Sequence, residues 1–253
     1  MIRDITIGQY YPAKSVIHKL DPRTKLFGTL VFIISVFLFH SIAGYAVATV
    51  FLAGMILIST VPVKFIFKGL KAIFMILLIT MVFNIFLTPG EALVSFGIFK
   101  ITKEGLSMAV RMAIRLVYLV IGSSLMTLTT TPNQLTDGLE KSPLNKIHVP
   151  VHEIAMMMSI ALRFIPILLE ETDKIMKAQI ARGADFENGN LIQKVKNMVP
   201  LLVPLFISAF RRANDLAMAM EARCYHGGDN RTQMKPLKYK KRDHIAYLIL
   251  FAY

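Results

Sequence analysis

From Leu26 to Ile58 the chain is broken only by small or uncharged residues, with His40 and Ser41 as the sharpest polar interruption. A helix rises about 1.5 Å per residue, and about 20 residues cross the hydrocarbon core of a bilayer. The run is too long for one span and slightly short for two, so it predicts two short or tilted helices joined by a tight turn at His40-Ser41. Val61-Pro62-Val63 follows, then Lys64, Lys68 and Lys71, spaced by four and three so that they share one helical face. A third span is predicted from Ala72 to Leu87, stopped by Thr88-Pro89-Gly90. Glu91 to Glu104 carries balanced charge, which predicts an outer loop with a short amphipathic piece. A fourth span follows from about Gly105 to Thr129.

Beyond Thr131-Pro132 the pattern changes, because Lys, Arg, Asp and Glu become frequent and stay so to Arg242. Val149 to Leu169 and Met198 to Phe210 are apolar enough to touch lipid, yet continue into amphipathic halves, Glu170 to Arg182 and Arg211 to Arg223. They predict two long helices rooted at the membrane and projecting from it. Pro166, Pro200 and Pro204 lie in the apolar roots, where each removes a backbone donor and kinks the axis; a hinge and a fixed bend fit this equally. His244 to Tyr253 opens a final helix, about ten residues short of a crossing. The expected organisation is an N-terminal segment with four transmembrane helices over 1–129, a charged cytoplasmic domain over 130–243 whose long helices end at Arg182 and Arg223, and the start of a last transmembrane helix over 244–253.

Composition agrees with that pattern. The 253 residues are 55% hydrophobic and 18% charged, with mean hydropathy +0.55, which predicts an all-α integral membrane protein with about five transmembrane helices. Tryptophan is absent, so interfacial anchors fall to tyrosines such as Tyr10, Tyr11, Tyr45, Tyr118 and Tyr247. The net charge of +13 clusters beside apolar segments, at Arg3 to Lys25, Lys64 to Lys71 and Lys235 to Arg242, as in loops held on the cytoplasmic side. This favours a multi-pass protein of the cell membrane with a cytoplasmic N-terminus, and no nucleic-acid-reading motif accompanies the charge.

The single cysteine, Cys224, excludes an internal disulfide and a thiolate metal cluster. His148, His152 and Glu153 come near a ligand set, but Pro150 argues against a regular helix there and nothing completes the set, so no metal is expected. No HExxH, phosphate-binding Walker loop or serine elbow occurs, and no catalytic residue is assigned. Arg111 and Arg115 sit four apart on the fourth span, where a charge is costly enough to suggest function or an internal partner. The favoured reading is that this helix starts outside the hydrocarbon and both arginines snorkel, since Leu116 to Leu128 still supplies apolar length.

The most informative pattern is a repeat: Ala181-Arg182-Gly183 after one amphipathic helix and Ala222-Arg223-Cys224 after the next, 41 residues on. Glycine past a helix end adopts the left-handed cap, and arginine in the last turn suits the helix dipole. Gly227-Gly228 ends the second helix a little later. On spacing alone, two ordinary C-terminal arginines account for this equally well. Its physical use would be docking, where a guanidinium fork meets carboxylates and carbonyls of a partner while apolar neighbours fill a groove.

The run Gly8-Gln9-Tyr10 through Ser15, His18 and Leu20-Asp21-Pro22-Arg23-Thr24-Lys25 resembles the opening motif of the transmembrane (T) component of energy-coupling-factor transporters, the cobalt/vitamin permease T family. Leu162-Arg163-Phe164-Ile165-Pro166 with Glu170-Glu171, Lys177-Ala178-Gln179 and Ala181-Arg182-Gly183 looks like that family's first coupling helix, and Arg211-Arg212-Ala213 to Met220-Glu221-Ala222-Arg223 like its second. The resemblance implies an energy-coupling subunit of an importer of vitamins or other micronutrients. By resemblance the tips dock on two cytoplasmic ATPases, and a small substrate-binding (S) membrane subunit sits on apolar helix surfaces. ATP and Mg belong to the ATPases, and this chain binds no cofactor and catalyses nothing. Cys224 departs from the pattern by standing where the first copy has Gly183, which puts the backbone turn of the second tip in question.

Two rival classes stay open on sequence alone. An integral membrane enzyme acting on lipid or prenyl substrates would draw on Asp137, Glu140, His152 and Glu153. A self-contained channel or secondary transporter would show paired membrane halves, whereas the repeat here lies in the charged segment.

Overall fold

The computed structural model describes residues 10–39, 41–89, 92–96, 99–141, 151–184, 186, 191–227 and 236–253. Of the sequence features above, Arg3, Gly8, Gln9, His40, Gly90, Glu91, His148, Val149, Pro150, Gly228 and Lys235 lie outside the described residues.

Helix α1 (Pro22–Leu38) starts where Asp21 accepts the Arg23 N–H at 3.0 Å, with Pro22 in the first turn, where its missing N–H costs nothing. Helix α2 (Ile42–Ser59) starts on the side chain of Ser41, which accepts the Ala43 N–H at 3.1 Å. These are the two helices expected on either side of His40-Ser41. Helix α3 (Val63–Leu87) takes in both the lysine face and the third span, and is bent by 56° between Val63–Lys71 and Ile73–Leu87. The bend turns the charged segment away from the apolar one.

The segment expected to hold a short amphipathic piece instead forms two antiparallel strands, β1 (Ala92–Phe96) and β2 (Phe99–Thr102), with Phe96 opposite Phe99. Val94, Phe96, Phe99, Ile101 and Thr102 are β-branched or aromatic residues that favour strands, and no helical repeat fits in so few residues. Helix α4 (Lys103–Thr129) then starts on Thr102, whose Oγ1 accepts the Gly105 N–H at 3.1 Å and donates to the Thr88 carbonyl at 2.9 Å. Helices α5 (Pro132–Glu140), α6 (Val151–Ala181), α7 (Leu191–Glu221) and α8 (Lys241–Ala252) complete the chain.

Among the described residues, α2, α4 and α6 are each long and apolar enough to cross a bilayer, and α3 adds a fourth if its bent halves form one span. Many large apolar side chains stay exposed, including Val50, Leu57, Phe83, Phe206 and Phe210, which suits lipid or apolar partners. The expected all-α membrane fold is therefore present, with the hairpin as its only strands among the described residues.

The chain divides into two compact units. In residues 10–138 with 237–253, α4 packs against α1, α2 and α3. Phe32, Val36, Ala48 and Leu52 form one core cluster, and Val61, Ile66, Leu125 and Leu128 another. A β-carbon on Gly122 would fall 2.8 Å from the Phe32 ring, so glycine there lets α1 and α4 close.

The N-terminal segment is laced to the end of α4, whose last carbonyls have no helical partner. The Tyr11 N–H donates to the Leu128 carbonyl at 2.9 Å, and Lys25 Nζ to that of Thr129 at 2.8 Å. His18 Nε2 donates to the Tyr11 carbonyl at 3.0 Å, which leaves Nδ1 of the neutral ring to accept from Ser15 at 2.7 Å. Burial, foremost, holds the His18 pKa below its ordinary value. Asp243, 1% exposed, accepts the Lys240 N–H at the start of α8 and the Asp21 N–H at the start of α1, both at 2.8 Å. Arg23 grips Asp21 through Nε and Nη2, each at 3.0 Å, and stacks over Tyr239 at 4.1 Å.

In residues 139–236, α6 and α7 pack against each other. Glu171 pairs with Arg212 at 2.9 Å, and Gln179 reaches Pro200. Later residues of α6 thus meet earlier residues of α7, so the two helices run antiparallel.

Candidate functional site

The end of α6 is built by three backbone bonds. The N–H groups of Arg182 and Ala184 both donate to the Gln179 carbonyl at 3.0 Å, and that of Gly183 to Ile180 at 2.9 Å. Gly183 has φ +86°, in the left-handed region. The bonds from Ala184 to Gln179 and from Gly183 to Ile180 are the pair that defines a Schellman cap. At the end of α7 the same bonds recur 41 residues on: Arg223 and Tyr225 to Met220 at 3.1 Å, and Cys224 to Glu221 at 2.9 Å. Cys224 has φ +54°. The two tips thus share one backbone design, and cysteine at the second adopts the turn that glycine makes at the first.

In both tips the arginine is the last residue before the left-handed turn, which aims it off the helix end. Ala181, Arg182, Gly183, Ala222, Arg223 and Cys224 are all exposed. Neither the Arg182 nor the Arg223 guanidinium has a hydrogen bond or ion pair with a described residue. The small alanine before each keeps the tip slim, and exposed Ile180 and Met218 lie beside the tips. A fixed cation with free donors and an apolar shoulder can meet a carboxylate or carbonyl in a groove.

The α6 and α7 pairing separates these tips. Gln179 of the first tip lies beside Pro200, and the stretch of α7 from Pro200 to Arg223 is about 35 Å long at about 1.5 Å per residue. One antiparallel helix pair therefore carries its two arginines at opposite ends.

Pro166 lies within α6, and Pro200 and Pro204 within α7. Pro204 has no N–H to give to the carbonyl of Pro200 four residues earlier. Gln179 Nε2 donates to that carbonyl instead, at 3.2 Å. Sequence reasoning did not single out Gln179 for this role. The signal was available in the spacing of the two prolines, since a proline four residues after any helical residue orphans that residue's carbonyl.

His152 is paired with Glu140 through Nδ1 at 2.8 Å, and no group of three or more candidate metal ligands occurs among the described residues. Arg115 Nη2 donates at 3.4 Å to the carbonyls of Phe37 and Phe39 and to the Tyr45 hydroxyl. It serves the unpaired carbonyl end of α1, while Arg111 is exposed. The expectation that both arginines snorkel outward therefore does not hold for Arg115, which turns to partners at the end of α1 and on α2.

The family model of CbiQ, described as cobalt transport protein, matches residues 13–234, a stretch that includes both tips. Among the most similar relatives is a protein of Clostridium kluyveri, 61% identical over 252 residues, covering 98% of this chain and 93% of the relative. A protein of Ruminiclostridium cellulolyticum is 55% identical over 248 residues, 97% of this chain and 93% of its own length. One of Bacillus subtilis is 48% identical over 257 residues, 100% and 97% respectively. All three carry the name energy-coupling factor transporter transmembrane protein EcfT. With its apolar helices and a family match over most of its length, the chain belongs to the CbiQ cobalt transport family, as a multi-pass membrane protein similar to the EcfT transmembrane proteins of energy-coupling factor transporters.

Proposed function

We propose that this chain is the energy-coupling transmembrane subunit of an ECF-type importer of vitamins or other micronutrients. Its N-terminus and its charged domain, 130–243, lie in the cytoplasm. Two cytoplasmic ABC-type ATPases, which hold the ATP and Mg, receive Arg182 and Arg223. A small substrate-binding membrane subunit packs on the exposed apolar helix surfaces. The chain performs no catalysis of its own and supplies a two-state element that its partners bias.

The observation that carries this reading is the pair of matching arginine caps at opposite ends of one helix pair. Tips about 35 Å apart do not fit a single groove, whereas two similar caps suit two similar partners. A change in the distance between those partners would act on both ends of the helix pair. The rival enzyme reading lacks comparable support. His152 is taken up by Glu140, and the apolar cavity of about 240 Å³ among α1, α2, α4 and α8 is lined by none of Asp137, Glu140, His152 or Glu153.

The test is co-purification of the chain with the ATPases of its own cell, native against an Arg182→Glu, Arg223→Glu double variant. The native chain is expected to bring down ATPases and the reversed charges to release them. A native chain that carries no ATPase overturns the reading.

A further inference from the structure

We propose that Gln179 is a positioning residue that passes movement of the first tip to the Pro200-Pro204 turn of α7, so that the two tips do not move independently; the proposal rests on the coupling reading above. In a regular helix the Pro200 carbonyl would accept the N–H of residue 204, but Pro204 has none. α7 is therefore not held by its own ladder at this point. Gln179 Nε2 supplies the missing donor at 3.2 Å from across the helix pair. The backbone carbonyl of the same residue accepts both the Arg182 and the Ala184 N–H at 3.0 Å, two of the bonds that shape the first tip. One residue is thus bonded through its main chain to the docking arginine and through its side chain to the weak point of the other helix.

The chemistry suits glutamine. Its amide donates from the end of a two-methylene arm, an ionised glutamate has no donor, and asparagine is one methylene shorter. A second polar link, Glu171 to Arg212 at 2.9 Å, holds α6 and α7 together elsewhere. Loss of the Gln179 bond therefore frees the tip end without separating the helices. The bond is exposed, so it can break and reform as partners pull on Arg182. Displacing the first tip shifts or releases the support at Pro200, and this changes the direction in which the rest of α7 carries Arg223.

The experiment uses the whole transporter, this chain with its ATPases and substrate-binding subunit, in proteoliposomes. Five chains are compared: native, Gln179→Leu, Gln179→Glu, Pro204→Ala, and Gln179→Leu combined with Pro204→Ala. Assembly is read by co-purification and thermal melting, and coupling by substrate taken up per ATP hydrolysed. Gln179→Leu and Gln179→Glu are expected to assemble and melt like the native complex while uptake per ATP falls about fivefold, the factor one ordinary hydrogen bond represents. Pro204→Ala restores a backbone donor for the Pro200 carbonyl, so Gln179→Leu should cause no further fall in that background. Native-like uptake per ATP by Gln179→Leu overturns the proposal, as does an equal fall in the Pro204→Ala background. Failure of both Gln179 variants to assemble also overturns it, by making the residue structural. If the native chain brings down no ATPase, it is the coupling reading that fails, which separates the two outcomes.

Discussion

Cys224 holds a left-handed backbone, at φ +54°, that its β-carbon opposes, while Gly183 makes the same turn at φ +86° without that conflict. Left-handed conformation costs a residue with a β-carbon about 1–2 kcal/mol. A β-carbon at Gly183 would meet nothing within 4 Å, so a substitution there is penalised by backbone conformation alone. Cys224→Gly is expected to stabilise the end of α7 by about 1 kcal/mol, and Gly183→Ala to loosen the end of α6 by a similar amount. Hydrogen exchange of the Ala184 and Tyr225 amides, the outermost cap donors, measures both; slower exchange at Ala184 in Gly183→Ala would sink the account. The arginines and the glycine of the first tip were legible from sequence because capping is a matter of a few adjacent residues. The turn at Cys224 was not, since cysteine has no preference for it and only the bonds to Met220 and Glu221 reveal it.

At the scale of elements, hydrophobic runs located α1, α2, α3, α4 and the two long helices, because transfer of apolar residues into lipid acts on any segment of sufficient length. The hairpin of β1 and β2 was missed because strands of five and four residues within a charged stretch are a weak signal. Asp243 shows how elements distant in sequence are tied: one buried carboxylate satisfies opening N–H groups of both α8 and α1, the latter on Asp21, 222 residues away in the chain. Asp243→Ala leaves both donors unpaired in a buried site. A loss of about 3 kcal/mol is expected, from two charge-assisted bonds of about 1.5–3 kcal/mol each with partial relaxation. Thermal unfolding of the purified chain in detergent measures this, and an unchanged midpoint would mean that α8 is held by other contacts.

For the molecule as a whole, the antiparallel pairing of α6 and α7 sets the two arginine tips at opposite ends, so in the proposed coupling role they would serve separate partners. Single charge reversals should therefore not behave like the double one. Arg182→Glu alone, and Arg223→Glu alone, are each expected to leave a complex containing one ATPase copy, as read by the mass of the purified complex in detergent. If either single variant releases both ATPases, the tips act on one shared site and the separation of about 35 Å along α7 has no functional meaning.

The sequence by itself determined the membrane class, the position of most spans, the break at His40-Ser41 between the first two helices, and the two arginines at the ends of the long helices. These depend on transfer free energy and on hydrogen bonds within one helical turn, which operate on residues adjacent in the chain. Only the tertiary structure decided that Gln179 fills the gap left by Pro204, that Arg115 serves the end of α1, that Asp243 joins the first helix to the last, and that the arginine tips face opposite ends of one helix pair. Each of these joins residues on different elements, and which orphan carbonyl meets which donor is set by the register and direction in which the helices pack, a choice that no local pattern encodes.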